Sequence, residues 1–180
     1  MVVLIGLGAN LDHPVHGGPR ETLLAALDAL ALGGVSVVRL SPWYLTRPVP
    51  DEGQPWYVNG VAQVDTVLAA NSLLAMLHEI EAALGRVRKA RWESRTVDLD
   101  LLDYRGHVVA PAVPHRHGVA TLPHPRLENR PFVLRPLVDI LPDWRHPMSG
   151  LTATELLSRL GDISDSLRPL GGAPAAAREN

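Results

Sequence analysis

Asp98 and Asp100 stand two positions apart in the otherwise apolar run 97–101. An extended strand would send both carboxylates to one face and Val97, Leu99 and Leu101 to the other. Successive same-face positions on a strand are about 7 Å apart. Two carboxylates fixed that close repel each other unless a cation neutralises them. Magnesium takes such oxygen ligands and completes its shell with water and phosphate. Outward polar residues on a half-exposed strand would give the same spelling, yet Asp is uncommon in strands. The residues just upstream add the opposite charge. Arg86, Arg88, Lys89, Arg91 and Arg95 lie within one short stretch, five of the chain's 17 Lys and Arg residues. Arginine grips phosphate oxygens through two parallel N–H groups. A cationic loop feeding a carboxylate strand thus brings together the groups that would hold a magnesium nucleotide triphosphate. A solvated charged loop would explain the cations, but not Trp92 in their midst.

Other residues narrow the chemistry. Aromatic residues are few, and Trp43, Tyr44, Trp56 and Tyr57 flank one Pro-rich loop, while Phe132 follows closely on Arg130. Flat side chains beside loops and cations suit a planar ligand, although Trp43 and Tyr44 fit a packing role equally well. Gly6-Leu7-Gly8-Ala9-Asn10 lacks the third glycine of a dinucleotide loop and the Gly-Lys-Ser/Thr of a P-loop. His115 and His117, in a Pro-rich stretch, read as solvated side chains rather than zinc ligands. There is no cysteine and no Gly-x-Ser-x-Gly, so disulfides, thiolate sites and a serine-elbow nucleophile are excluded. The formal net charge of −2 over 180 residues argues against a protein that coats nucleic acid. The N-terminus has no basic, signal-like start, and no apolar run is long enough for a bilayer span, so a cytoplasmic protein is expected.

These residues need a frame to hold them. The pattern predicts a strand over 2–8 and a helix over 19–32 that stops at Gly33-Gly34. A strand at 35–40 and a Pro-rich loop from Thr46 to Pro55 follow. Next come a strand at 57–67 and a helix up to Leu84 with Asn71 as N-cap. After the basic loop 86–95 come a strand at 97–104 and a short partner strand at 107–109. Helices are expected at 132–140 and 152–160. The order β-α-β-β-α-β is that of the split βαβ, an α+β, ferredoxin-like antiparallel sheet with helices on one face and additional helices appended. Residues 1–170 read as one domain and 171–180 as a frayed tail.

With the residues laid out, the stretch from Gly85 to Leu102 resembles the signature of the 6-hydroxymethyl-7,8-dihydropterin pyrophosphokinase family. Its Arg86, Arg88, Arg91, Trp92, Arg95, Asp98 and Asp100 carry the likeness. The opening Gly8-Ala9-Asn10-Leu11, the segment from Gln54 to Asn59, the Pro-His segment at 122–127 and the segment Arg130 to Leu137 match in order as well. Glu93-Ser94 departs from a Gly-Pro found in many relatives. The resemblance implies a ferredoxin-like fold and transfer of the terminal two phosphates of ATP to the hydroxymethyl group of the dihydropterin. AMP is released, and the step belongs to folate biosynthesis. It implies Arg86 and Arg95 as catalytic cations and Asp98 and Asp100 as ligands of two Mg2+ ions. Arg88, Arg91, Leu101, Thr121, His124 and Arg130 would contact ATP. Thr46, Val49, Tyr57, Asn59, Trp92 and Phe132 would contact the pterin. A monomer binding neither nucleic acid nor membrane is expected. Because ferredoxin-like sheets also bind RNA or act as regulatory domains, those classes stand as alternatives.

Overall fold

The computed structural model describes residues 1–48, 51, 53–85, 96–110 and 118–171. Strand β1 (Val3–Ala9) lies between two neighbours, because its sequence is apolar or glycine at every position and all seven residues are buried. It pairs antiparallel with β4 (Tyr57–Asp65) on one side and with β5 (Asp98–Tyr104) on the other. Strand β2 (Ser36–Leu40) and the short β3 (Tyr44–Thr46) both pair antiparallel with β4. A final strand, β6 (Leu167–Pro169), extends the sheet from β3. The order β5-β1-β4-β2 is the expected ferredoxin-like arrangement, and β3 and β6 enlarge it beyond what the sequence suggests. Their three-residue length leaves too little periodicity to read.

Helices α1 (Pro19–Leu32) and α2 (Ala70–Ala83) cover one face of the sheet. Pro19 opens α1, and Gly33 and Gly34 close it, with Gly34 at φ +80°. Leu23, Leu27 and Leu30 of α1 and Leu73, Leu77 and Ile80 of α2 pack on Val3, Ile5, Leu7, Val97, Leu99 and Leu101. Asn71 does not cap α2, as the sequence had suggested. Ala69 holds that position, and the Asn71 amide oxygen instead accepts the Ala120 N–H at 3.0 Å.

Helices lie on both faces, not on one as expected. Helices α3 (Pro131–Ile140) and α4 (Ala153–Arg159) build a second core on Leu4, Val61 and Leu102. The physical reason is in β1: a strand apolar at successive positions cannot leave one face in water. The expected partner strand at 107–109 is a single bridge, in which Val109 and Leu122 exchange two hydrogen bonds. The tail 172–180 lies outside the described residues. No helix among the described residues is long and apolar enough to cross a membrane.

Several buried polar groups of the second core are paired with one another. Trp144 donates its Nε1–H to Asp103 Oδ2 at 2.8 Å, and the Gly106 N–H reaches Oδ1 at 3.1 Å. Burial pushes the Asp103 carboxyl above its usual range, and these donors oppose the rise. His146, 4% exposed, meets the Trp144 ring edge-on and places Nδ1 3.1 Å from Glu128 Oε1. Burial lowers the His146 pKa despite the pull of Glu128 and Asp103. The unfolded chain therefore takes up a proton at His146 before the folded one does as the pH falls. Stability should drop as the pH passes down through the ordinary histidine value. Melting scans between pH 7.5 and pH 5.5 should give a shallower decline for His146→Gln than for the unaltered chain.

Candidate active site

The register of three strands decides which side chains meet. Gly8 of β1 stands opposite Asp98 of β5 on one side and opposite Asn59 of β4 on the other. Gly6 is likewise opposite Asp100 and Val61. Strand alternation sends all of these to the α3 face, away from the first core. Asp98, Gly8 and Asn59 thus form a row across the sheet, with a bare backbone between carboxylate and amide. The bareness is required. A Cβ on Gly8 would lie 2.7 Å from Asn59 Oδ1 and 3.9 Å from the Asp98 Cβ.

Asn59 is buried, and its Nδ2 donates to the Thr46 hydroxyl at 2.6 Å. That bond leaves Oδ1 turned over Gly8, as an acceptor facing the carboxylate side. Tyr57, two residues before Asn59, shares its face of β4 and pairs in register with Thr46. Asn10, which follows β1, donates its Nδ2 to the Pro55 carbonyl at 3.1 Å and ties down the chain that leads into β4. Trp43 is a core residue, with its ring against Gly60, whereas the Trp56 ring meets the guanidinium groups of both Arg47 and Arg168.

Asp100 anchors the other half of the site. Arg130, which ends the 3-10 turn Leu127–Asn129 and caps α3, donates Nη1–H to Asp100 Oδ2 at 2.7 Å. Its side chain is only 15% exposed, so the pair is less screened than a surface ion pair, which contributes about 0–1 kcal/mol. The same guanidinium lies 5.5 Å from the centre of the Phe132 ring, so Arg130 joins the carboxylate strand to the aromatic wall. His124 is held by its N–H on the Leu102 carbonyl at 2.8 Å. Its Nδ1 accepts the Arg126 N–H, so the neutral ring carries its proton on Nε2, 3.7 Å from Asp100 Oδ2. Burial lowers the His124 pKa, and Arg130 and Arg126 oppose the pull of Asp100. At neutral pH His124 is therefore an uncharged donor.

Asp98 and Asp100 are half-buried, and both offer hard oxygen donors suited to magnesium. Among the described residues no cluster of three or more metal-ligating side chains forms a closed cage. Two carboxylates leave places in a magnesium shell for water and substrate phosphate. Leu101 enters the site differently. Its side chain is in the first core, so only its backbone, on the outermost strand, could meet a ligand. Thr121 is half-buried beside Leu122. Val49, Arg86, Arg88, Arg91, Trp92 and Arg95 lie outside the described residues, as do His115 and His117.

Two contributors escape a reading of motifs. Gly8 matters for the Cβ it lacks, and only the register reveals its neighbours. Glu81 is 2% exposed within the apolar stripe of α2 and accepts the Leu99 N–H at 2.8 Å, which fixes β5 between its two aspartates. An acidic residue one position after Ile80 in that stripe was the available signal.

The site can be compared with known proteins. A family model described as 7,8-dihydro-6-hydroxymethylpterin-pyrophosphokinase (HPPK) matches residues 4–142, which include both aspartates and Asn59. The chain belongs to this family. A Pseudomonas aeruginosa 2-amino-4-hydroxy-6-hydroxymethyldihydropteridine pyrophosphokinase is 41% identical over 157 residues, 87% of this chain and 90% of that protein. The Haemophilus influenzae protein of the same name is 39% identical, with 88% and 92% covered. Among solved structures, a Plasmodium falciparum HPPK-DHPS chain aligns with a TM-score of 0.72 at 13% identity. It covers 93% of this chain, which spans 47% of that longer one, and the likeness is one of fold.

The Arg130–Asp100 pair has a measurable consequence for this HPPK-family site. A guanidinium and a metal ion compete for the same carboxylate oxygen. Arg130→Ala should raise the affinity of the nucleotide-free protein for Mn2+ several-fold, read by electron paramagnetic resonance titration. Equal or weaker Mn2+ binding would show that Arg130 does not restrain Asp100.

Proposed function

We propose that this chain transfers pyrophosphate from ATP to the hydroxymethyl group of 6-hydroxymethyl-7,8-dihydropterin and releases AMP, the activity for which its relatives are named. The observation that carries the reading is the row Asp98–Gly8–Asn59. It sets a phosphate-side carboxylate and a buried amide on one sheet face with nothing larger than backbone between them.

On the acceptor side, Asn59 and Thr46 offer hydrogen bonds to the edge of a pterin, and Tyr57 and Phe132 offer apolar faces to its ring. Val49 and Trp92 are assigned to the same ligand on the strength of the family match. The substrate hydroxyl would then lie over Gly8, close to Asp98. Attack by that oxygen on the β-phosphorus breaks the bond to the oxygen bridging the α- and β-phosphorus. The hydroxyl proton is lost, and AMP departs with the bridging oxygen. Such a transfer requires positioning and charge stabilisation more than covalent help. Arg130 and His124 would turn from Asp100 to phosphate oxygens, and Arg86, Arg88, Arg91 and Arg95 are assigned to the same task. Asp98 and Asp100 would hold Mg2+, in the number of two ions. When bound, magnesium would offset phosphate charge and help the β-phosphorus accept the incoming oxygen.

Product analysis with ATP, magnesium and the hydroxymethyl dihydropterin tests the reading directly. AMP and the pyrophosphorylated pterin are expected, and ADP would refute pyrophosphoryl transfer. Asp98→Ala or Asp100→Ala should lower kcat by about a hundredfold or more while leaving pterin binding within a few-fold. Gly8→Ala should push Asn59 aside and raise the KM for the pterin, with the KM for ATP little changed. Steady-state kinetics in each substrate would separate the two.

A further inference from the structure

The row Phe132, Arg135, Asp139 recurs at helical spacing along α3, at i, i+3 and i+7, so it forms one stripe. Phe132 begins this stripe beside Arg130, whose guanidinium holds Asp100. The far end is clasped to the sheet. The Tyr44 hydroxyl donates to Asp139 Oδ2 at 2.5 Å, and Arg135 pairs with the other oxygen of the same carboxylate. Tyr44 is 6% exposed, and the Asp139 side chain only 16%. Burial and the carboxylate push the Tyr44 phenol above its ordinary range, so it remains a protonated donor. One residue beyond Asp139, the Ile140 carbonyl accepts Arg39 Nη1–H at 2.8 Å, a second tie from α3 to the sheet.

Tyr44 is also a neighbour of the acceptor pocket. It pairs in register with Asn59, and Thr46, on the same face of β3, accepts the Asn59 amide. One short strand therefore carries the pocket floor at Thr46 and the clasp at Tyr44. The helix that carries the pocket wall receives that clasp. Pro136 makes the tie more consequential. Its ring nitrogen has no hydrogen, so the helical rung from residue 136 back to the Phe132 carbonyl is absent. The first turn of α3 is thus less firmly tied to the rest of the helix by its own ladder, and its placement falls more heavily on side-chain contacts with the sheet.

We infer that Tyr44, through Asp139 and Arg135, is a positioning residue for the acceptor: it sets the gap between the Phe132 wall and the Asn59–Thr46 floor into which a flat ring fits. The inference rests on the pyrophosphokinase reading for the identity of the ring, while the clasp itself is independent of that reading. Tyr44→Phe removes one oxygen and keeps the ring. The test compares the full-length chain and this variant, well below both melting temperatures. Affinity for 6-hydroxymethylpterin is read by its fluorescence with α,β-methylene-ATP at saturation, and affinity for the nucleotide is read separately. The pterin dissociation constant should rise about three- to tenfold, with the nucleotide constant changed less than twofold. A role confined to stability would lower the melting temperature and move neither constant, and that result overturns the inference. An equal loss for both ligands overturns it too. Asp139→Asn keeps an acceptor for the hydroxyl but loosens Arg135, and it should show the same selective loss to a smaller degree. It decides the matter if Tyr44→Phe does not fold. A wild-type chain that makes no AMP would instead fault the function assigned to the site.

Discussion

The alignment of β1 with its two neighbours is the constraint on which the site depends. Strand β1 contributes no reactive group to it. Its Gly6 and Gly8 decide instead how closely β5 and β4 present their side chains to one another across the sheet. A slip of one residue in the β1–β5 pairing would turn Asp98 and Asp100 into the first core and bring Leu99 out, and a slip in the β1–β4 pairing would do the same to Asn59. The first core prevents that slip. Val97, Leu99 and Leu101 are buried under α2 on the opposite side from the carboxylates, so the same alternation that fills the core also aims the acids.

The two faces of the sheet do different work. The face under α1 and α2 is filled with apolar side chains, mostly aliphatic. On the other face α3 and α4 pack on Leu4, Val61 and Leu102, α3 is also tied to β3 through Tyr44 and Asp139, and Asp98, Asp100 and Asn59 share that face. Strand β5 runs through both regimes. Asp98 and Asp100 lie toward its start, while Leu102 and Asp103 lie under the second core. A register shift between Leu4 and Ile5 lets Leu102 and Asp103 both belong to the covered part. On that face Arg130, at the end of the 3-10 turn, and His124 stand beside Asp100.

Much of this was legible in the residues. The run Val97–Leu101 announced a strand with its acids on one side, and α1 was delimited by Pro19 and the two glycines after Leu32. Family likeness supplied Asn59, Phe132, His124 and Arg130, which the structure brings to one side of the sheet. Asn71 looked like a cap because a side-chain amide before an apolar helix usually is one, but the backbone of Ala120 offered it a better partner. Strands β3 and β6 are too short for periodicity, and their existence depends on β4 being long enough to pair with two strands in succession. The meaning of Gly8 and of Glu81 depends on contacts between segments far apart in sequence, which no local pattern encodes.

Strand β5 is the outermost strand of its side of the sheet, and the backbone N–H and C=O groups of an outermost strand are a template for another chain. Two groups of that strand are already taken. Glu81 takes the Leu99 N–H, and the backbone N–H of His124 takes the Leu102 carbonyl. The groups that steady the two aspartates therefore also deny the strand to an incoming strand from a second molecule. The demands of a rigid phosphate site and of resistance to aggregation are met by the same two hydrogen bonds, so weakening either one would expose the protein to association as well as to loss of order around the aspartates.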